Sequence, residues 1–250
     1  MKSFKDFILE NKSDKKNKKP KGIIPEPIHF KDVGKSNKKG TIPEPIHFKH
    51  VKEESKPIPH VSEWESVHEN GHLGDNHNDV TKNLARGTKF TPEEKSAVRD
   101  YTEYSKDINY MLIKRNGVPH PNHQNSVDKL DSAINSNKIK KDMVVYSGVK
   151  FNPNDIKDEN GMIRSPAYIS ATHNKSLALD YVPTQRRSHL LAIHLKAGHP
   201  AAHISKVSVW PHEGETLIGR NSTFRHIGKK RYDIGEGRTV TIHHVEAVQE

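Results

Sequence analysis

At Lys141-Asp142 the apolar residues change period, and this change restricts the fold more than any other feature of the chain. Upstream, Ala97, Val98, Tyr101, Tyr104 and Ile108 recur at helical spacing, followed by Val127, Leu130 and Ile134. Downstream the apolar runs are short and extended. Met143-Val144-Val145-Tyr146 reads as a buried strand ending at Ser147-Gly148, residues 167–172 as a second and 189–195 as a third. Further strands fit residues 201–204, 215–218, 223–227, 230–234 and 239–248. Helices first and many short strands afterwards predict an α+β fold, not the alternation of a doubly wound sheet.

The start of the first helix is written in four residues. Thr91 can cap it, Pro92 suits the first helical position, and Glu94 completes a capping box. The helix is expected to reach about Lys114 with room for a break, and Asn116-Gly117-Val118-Pro119 stops it. A second helix is expected from Ser126 to near Asn137, and Asn174 can cap a short one carrying Leu177, Ala178 and Tyr181.

Composition matters for what precedes this domain. Only 32% of the residues are hydrophobic, so part of the chain lies outside any core. Residues 1–60 hold 15 Lys and no Arg against 8 acidic residues, a net +7 that leaves +3 for the other 190. Residues 1–60 are therefore read as a disordered basic tail, 61–89 as a polar, His-rich linker, and 90–250 as the folded domain. Within the tail, residues 21–33 recur as residues 39–51 with two differences in thirteen positions, each copy containing Pro-Glu-Pro-Ile-His-Phe. Two copies are too few for a solenoid. The Pro-Glu-Pro centre favours extended, polyproline-like backbone, so each copy reads equally as a linear motif for a partner or as a duplicated spacer.

Cysteine is absent, which excludes a disulfide framework and a thiolate zinc site. No apolar run is long enough to span a membrane and the first residues lack the apolar core of a secretory signal, so a soluble chain with no membrane partner is expected.

Two motifs carry chemistry. In Trp210-Pro211-His212-Glu213-Gly214-Glu215, an extended backbone would put Glu213 and Glu215 on one face, roughly 6–7 Å apart. Such a pair suits bond cleavage at a sugar C1, where a carboxylate stabilises an oxocarbenium-like state. The plainer reading is a polar edge strand leaving a loop. The second motif, His68-Glu69-Asn70-Gly71-His72, fits the H-E-x-x-H pattern of zinc proteases. Its Asn70 and Gly71 are weak helix formers, with Gly74, Asp75 and Asn76 close behind, so a zinc protease stands as the lesser alternative.

Tyr146-Ser147-Gly148, then Tyr168-Ile169-Ser170-Ala171-Thr172, then Glu213-Gly214-Glu215 occur in that order. The arrangement resembles the three-part signature of the mono-ADP-ribosyltransferases of the exoenzyme-toxin type: an Arg on one strand, Ser-Thr-Ser on a second, and Glu-x-Glu ahead of a later one. The resemblance covers roughly residues 90–248 and is, within that family, to the Alt and Mod enzymes of T-even-type bacteriophages. It implies a mixed, mainly antiparallel two-sheet core, NAD+ as substrate and no metal. By the same resemblance Glu215 is the catalytic glutamate on the nicotinamide-ribose 2′-hydroxyl. Glu213 is the acid that positions and deprotonates an acceptor guanidinium, and Ser170 orients Glu215. Thr172, Gly148 and Tyr146 fall at NAD-binding positions, and Trp210 to Glu213 form the acceptor loop.

Physical chemistry agrees with those roles. Nicotinamide leaves a ring that turns cationic, which a carboxylate stabilises. A guanidinium stays protonated up to a pKa above ~12, so it needs an adjacent base as its bond forms. One departure stands out: Ser147 occupies the position of the family's Arg, and Lys150 or Arg164 are the nearby cations that can replace its clamp on NAD.

The resemblance implies transfer to arginine of host proteins of transcription or translation, RNA polymerase first among them, by a monomer acting in the host cytoplasm. The amphipathic start ending in Ile8-Leu9-Glu10 is similar to capsid-targeting peptides of T-even-type internal head proteins, implying packaging in the virion and injection. The Lys-rich tail would then lie against packaged DNA through salt-sensitive phosphate contacts. The non-enzymatic alternative is a packaged, DNA-associated protein whose transferase fold has lost NAD binding.

Overall fold

The computed structural model describes residues 49–50, 77–149, 151–182, 187–235 and 237–249. The basic tail, both Pro-Glu-Pro copies and the His68–His72 motif lie outside them, except for the backbone of Lys49–His50 (β1), near the end of the second copy. The helices α1 (His77–Ala85), α2 (Pro92–Lys114) and α3 (Gln124–Asn135) come next. Strands follow: β2 (Met143–Val149), β3 (Met162–Ser165), β4 (Ile169–Thr172), β5 (Arg187–Leu195), β6 (Ala201–His203), β7 (Glu215–Ile218), β8 (Ser222–Asp233) and β9 (Thr239–Ala247), with α4 (Lys175–Asp180) after β4. The fold is α+β.

α2 begins where the capping box predicts. The Glu94 N–H donates to Thr91 Oγ1 at 3.2 Å and the Thr91 N–H to Glu94 Oε2 at 2.9 Å. Ser132 of α3 donates to Glu94 Oε1 at 2.7 Å, so the cap also holds the two helices together. The expected break falls at Tyr104, whose φ of −124° is not helical. α3 starts at Gln124, not Ser126, because a 3₁₀ turn over Pro121–His123 leads straight into it. α1 occupies part of the stretch read as linker. Its apolar signal is confined to Val80, Leu84 and Ala85, and Ala85 is buried.

The strands run in the order β1-β8-β9-β5-β2-β4-β7-β6, with β3 on β8. Every pairing is antiparallel except β5 with β9. Two halves meet at β2 and β4, which share one register pair, Tyr146 opposite Thr172. The two strands expected over 223–227 and 230–234 are one, β8, whose register slips between His226 and Gly228. Such a slip interrupts the alternation that marks one continuous strand.

Three apolar layers hold this arrangement. Tyr101, Leu112, Leu130 and Ile134 of α2 and α3 pack on Tyr168 and Leu217. Val145, Ile193, Phe224 and Val245 form a second layer, and Leu179, Leu190 and Ile242 a third beneath α4. A polar clamp crosses the first layer: Arg220 donates Nε and Nη2 to Asp131, Nη1 donates to the Gly117 carbonyl at 2.6 Å, and the Tyr168 hydroxyl donates to Asp131 at 2.7 Å. Imidazoles line β5, β8 and β9. His189 Nδ1 lies 3.0 Å from His243 Nε2, His226 Nε2 3.3 Å from His243 Nδ1, and His194 Nε2 3.2 Å from His244 Nδ1.

Candidate active site

The site is built on the narrow junction between the sheet halves. Thr172 on β4 stands opposite both Tyr146 and Glu215, and Ser170 stands opposite Leu217. Alternation therefore puts Ser170, Thr172, Glu215 and Leu217 on one face, the face that meets α2 and α3. Glu215 is 3% exposed and Glu213 1% exposed.

A chain of hydroxyls orients Glu215. The Ser170 hydroxyl donates to the Glu215 carboxylate. Ser170 Oγ also lies 3.5 Å from the Tyr101 hydroxyl, and either atom can donate. Tyr101 in turn accepts from Asn109 Nδ2 at 2.9 Å, and Asn109 Oδ1 accepts the Tyr168 N–H at 3.2 Å. Burial pushes Glu215 up to about 7, against which the Ser170 hydrogen bond works.

Glu213 reaches the site differently from expectation. It ends a 3₁₀ turn over Pro211–Glu213 and is followed by Gly214 at φ 60°, ψ 36°, so the Glu-Gly-Glu segment is not extended. The left-handed conformation is why glycine separates the two acids. The turn is anchored upstream, where the Val209 N–H donates to Thr102 Oγ1 of α2 and the Trp210 N–H to Ser208 Oγ. Burial first, and the charge of Glu215 second, push Glu213 up to about 9; a hydrogen bond from Tyr181 opposes both. Glu213 Oε2 is buried without a hydrogen-bond partner. Burial and the neighbouring charge of Glu215 thus favour the protonated form of Glu213 until a cation arrives.

Of the residues singled out in the sequence, the fold brings Ser170, Glu213 and Glu215 together, with Thr172 and Tyr146 paired across the junction. Thr172 Oγ1 accepts the Asn174 N–H at 3.2 Å, and Ser147 Oγ donates to the Ser170 carbonyl at 2.9 Å. Ser147 thereby ties β2 to β4. Gly148 lies on β2 opposite Leu190 of β5. Arg164 is exposed on β3, opposite Thr223 of β8, and Lys150 lies outside the described residues. By sequence alone Tyr181 belongs to an apolar helix face and Tyr101 to plain core. Nothing in the sequence marks their hydroxyls, because Tyr101 lies 69 positions from Ser170. Among the described residues no three His, Asp or Glu side chains converge as metal ligands.

The divided, mainly antiparallel sheet with its flanking helices is a fold shared with solved bacterial toxins. Plx2a, an ADP-ribosyltransferase toxin from Paenibacillus larvae, has a TM-score of 0.57 at 19% identity, over 69% of this chain and 96% of that one. C3stau2 from S. aureus, solved with NAD, has a TM-score of 0.56 at 20% identity, over 70% and 95%. The arginine ADP-ribosyltransferase EFV of Enterococcus faecalis is 29% identical over 175 residues, which are 67% of this chain and 34% of that protein. A family model described as ADP-ribosyltransferase exoenzyme matches residues 74–246. The chain belongs to that family.

Proposed function

We propose that this chain transfers ADP-ribose from NAD to an arginine side chain of a protein. The observation that carries the reading is the partnerless, buried Glu213 Oε2, set one left-handed glycine away from a Ser170-held Glu215. The name of the Enterococcus relative supports arginine as acceptor. In the reaction the bond between nicotinamide nitrogen and ribose C1 breaks and nicotinamide leaves as a neutral molecule. Ionised Glu215 stabilises the resulting cation from the 2′-hydroxyl side. A guanidinium nitrogen attacks C1 while its proton passes to Glu213, whose raised affinity for a proton fits it for a base.

Two buried acids also suit a guanidinium by charge. Its approach allows both to ionise, so their burial is offset only when the acceptor is present. The test is incubation with labelled NAD and a bacterial lysate beside Glu215→Gln. Discrete labelled proteins that vanish in the variant support the reading; labelling that persists sinks it.

One observation favours a second reading. Ser147 spends its proton on the Ser170 carbonyl and carries no charge for NAD's phosphates. A chain that neither binds nor turns over NAD would be the inactive, DNA-associated protein. The setting we propose is a bacteriophage infection, with host transcription or translation proteins as acceptors and RNA polymerase first among them. That setting rests on the likeness to Alt and Mod and on residues 1–10. Mass spectrometry of purified virions, with and without the tail, tests it.

A further inference from the structure

Next to the turn that carries Glu213 lies a second feature that the transfer chemistry leaves unused. α1 turns Thr81, Lys82, Ala85 and Arg86 toward Ser205 and Lys206 after β6 and toward Pro211 and His212 of the turn, and these residues line an open cavity of about 540 Å³. Ala85 and Pro211 supply apolar surface and the rim is cationic. Arg86 and Lys206 are exposed, and neither has a carboxylate partner among the described residues. Inside, Thr81 is 8% exposed, and its hydroxyl has no hydrogen-bond partner. A buried donor left unpaired is uncommon and costs free energy, so a ligand that accepts from it is the natural complement.

We propose that this cavity receives a carboxylate side chain of the acceptor protein close in sequence to the arginine to be modified, so that arginines in acidic surroundings are selected. The inference rests on the arginine-transfer reading and names a substrate feature for it. Charge complementarity argues for it. Glu213 offers a negative position for the guanidinium, and one residue away His212 borders a positive rim. Extended chain advances about 3.3–3.6 Å per residue, so an Asp or Glu one to three positions from the arginine spans the two. An aspartate or glutamate fits the lining: its methylene lies against Ala85 and Pro211, and its oxygens meet Arg86, Lys206 and the Thr81 hydroxyl.

The experiment uses the full chain, NAD and three acceptors: agmatine, an arginine peptide flanked by glutamates, and the same peptide flanked by lysines. The glutamate peptide is expected to have a KM about tenfold lower than the lysine peptide at low salt, the gap narrowing as salt rises. The double variant Arg86→Glu/Lys206→Glu raises the KM of the glutamate peptide about tenfold, while kcat and the KM values for agmatine and NAD hold. Thr81→Val, which keeps the shape, raises the glutamate-peptide KM about threefold. Equal KM values for the two peptides on the native chain overturn the inference and leave arginine transfer standing. A rise in the NAD KM in the double variant also overturns it, because the cavity would then serve the dinucleotide's phosphates. No transfer to any guanidine, agmatine included, removes the arginine reading and this inference with it.

Discussion

Glu213 and Glu215 sit two positions apart and differ in what holds them. Ser170 donates to Glu215, while Glu213 has one oxygen without a partner. Glu215→Gln is expected to lower both NAD hydrolysis and transfer by about a hundred- to a thousandfold, because the charge facing the developing cation is gone. Glu213→Gln should lose transfer to agmatine and keep most NAD hydrolysis; equal losses of the two activities would contradict the division of roles. Burial raises Glu215 to about 7, so NAD hydrolysis should climb with pH through that value. Since burial, not Glu213, is the first cause, the midpoint should survive in Glu213→Gln. Tyr101→Phe leaves the buried Asn109 amide without its acceptor. It should cost about 1–2 kcal/mol of stability in a denaturant titration and slow hydrolysis by loosening Ser170.

Among the elements, the turn into β7 decides where the acids point. Gly214 at φ 60° tolerates no Cβ without strain, so Gly214→Ala should cost about 1–2 kcal/mol and lower transfer more than NAD hydrolysis, as Glu213 is displaced. Thermal melts with both activity assays check this. The clamp between α3 and the loop after β7 is the second device at this scale. Asp131→Ala strips the partner from a half-buried Arg220 and from the Tyr168 hydroxyl, with an expected loss of about 2–3 kcal/mol. The α2 start was legible because its capping box is local in sequence. α1 was not, since so few apolar residues mark it, and neither was β3, whose Met162 and Ile163 pair with Arg225 and Phe224 far along the chain.

For the whole molecule, the buried imidazoles and the buried acids tie stability to pH in opposite senses. His243 and His244 are held down to about 3 and His203 to about 4, in each case by burial first. They stay neutral in the fold and take protons when unfolded, so their contribution is whole above 6.5 and is lost as pH falls toward 4 and 3. At pH 5 a buried imidazole of this kind costs about 2 kcal/mol. Glu213 and Glu215 are raised, so what they contribute is whole below 4.5 and is lost as pH rises through 7 and 9. The melting temperature should fall toward acid, less steeply in His243→Phe. At pH 9 Glu213→Gln should melt higher than the native chain, and at pH 5 the two should agree more closely.

The sequence by itself determined what is local or periodic: the α+β order of elements, the capped start of α2, the spacing of Glu213 and Glu215, and the hydroxyl at Ser170. Side-chain period and capping chemistry act over a few residues, so they can be read before folding. Only the tertiary structure decided that Tyr101 and Asn109 stand behind Ser170, that Tyr181 meets Glu213, and that α1 borders a cavity beside the turn. Those contacts join residues far apart in the chain. They exist because β4 pairs with β7 beside its narrow junction with β2 and α2 packs over that face, and no local pattern encodes that geometry.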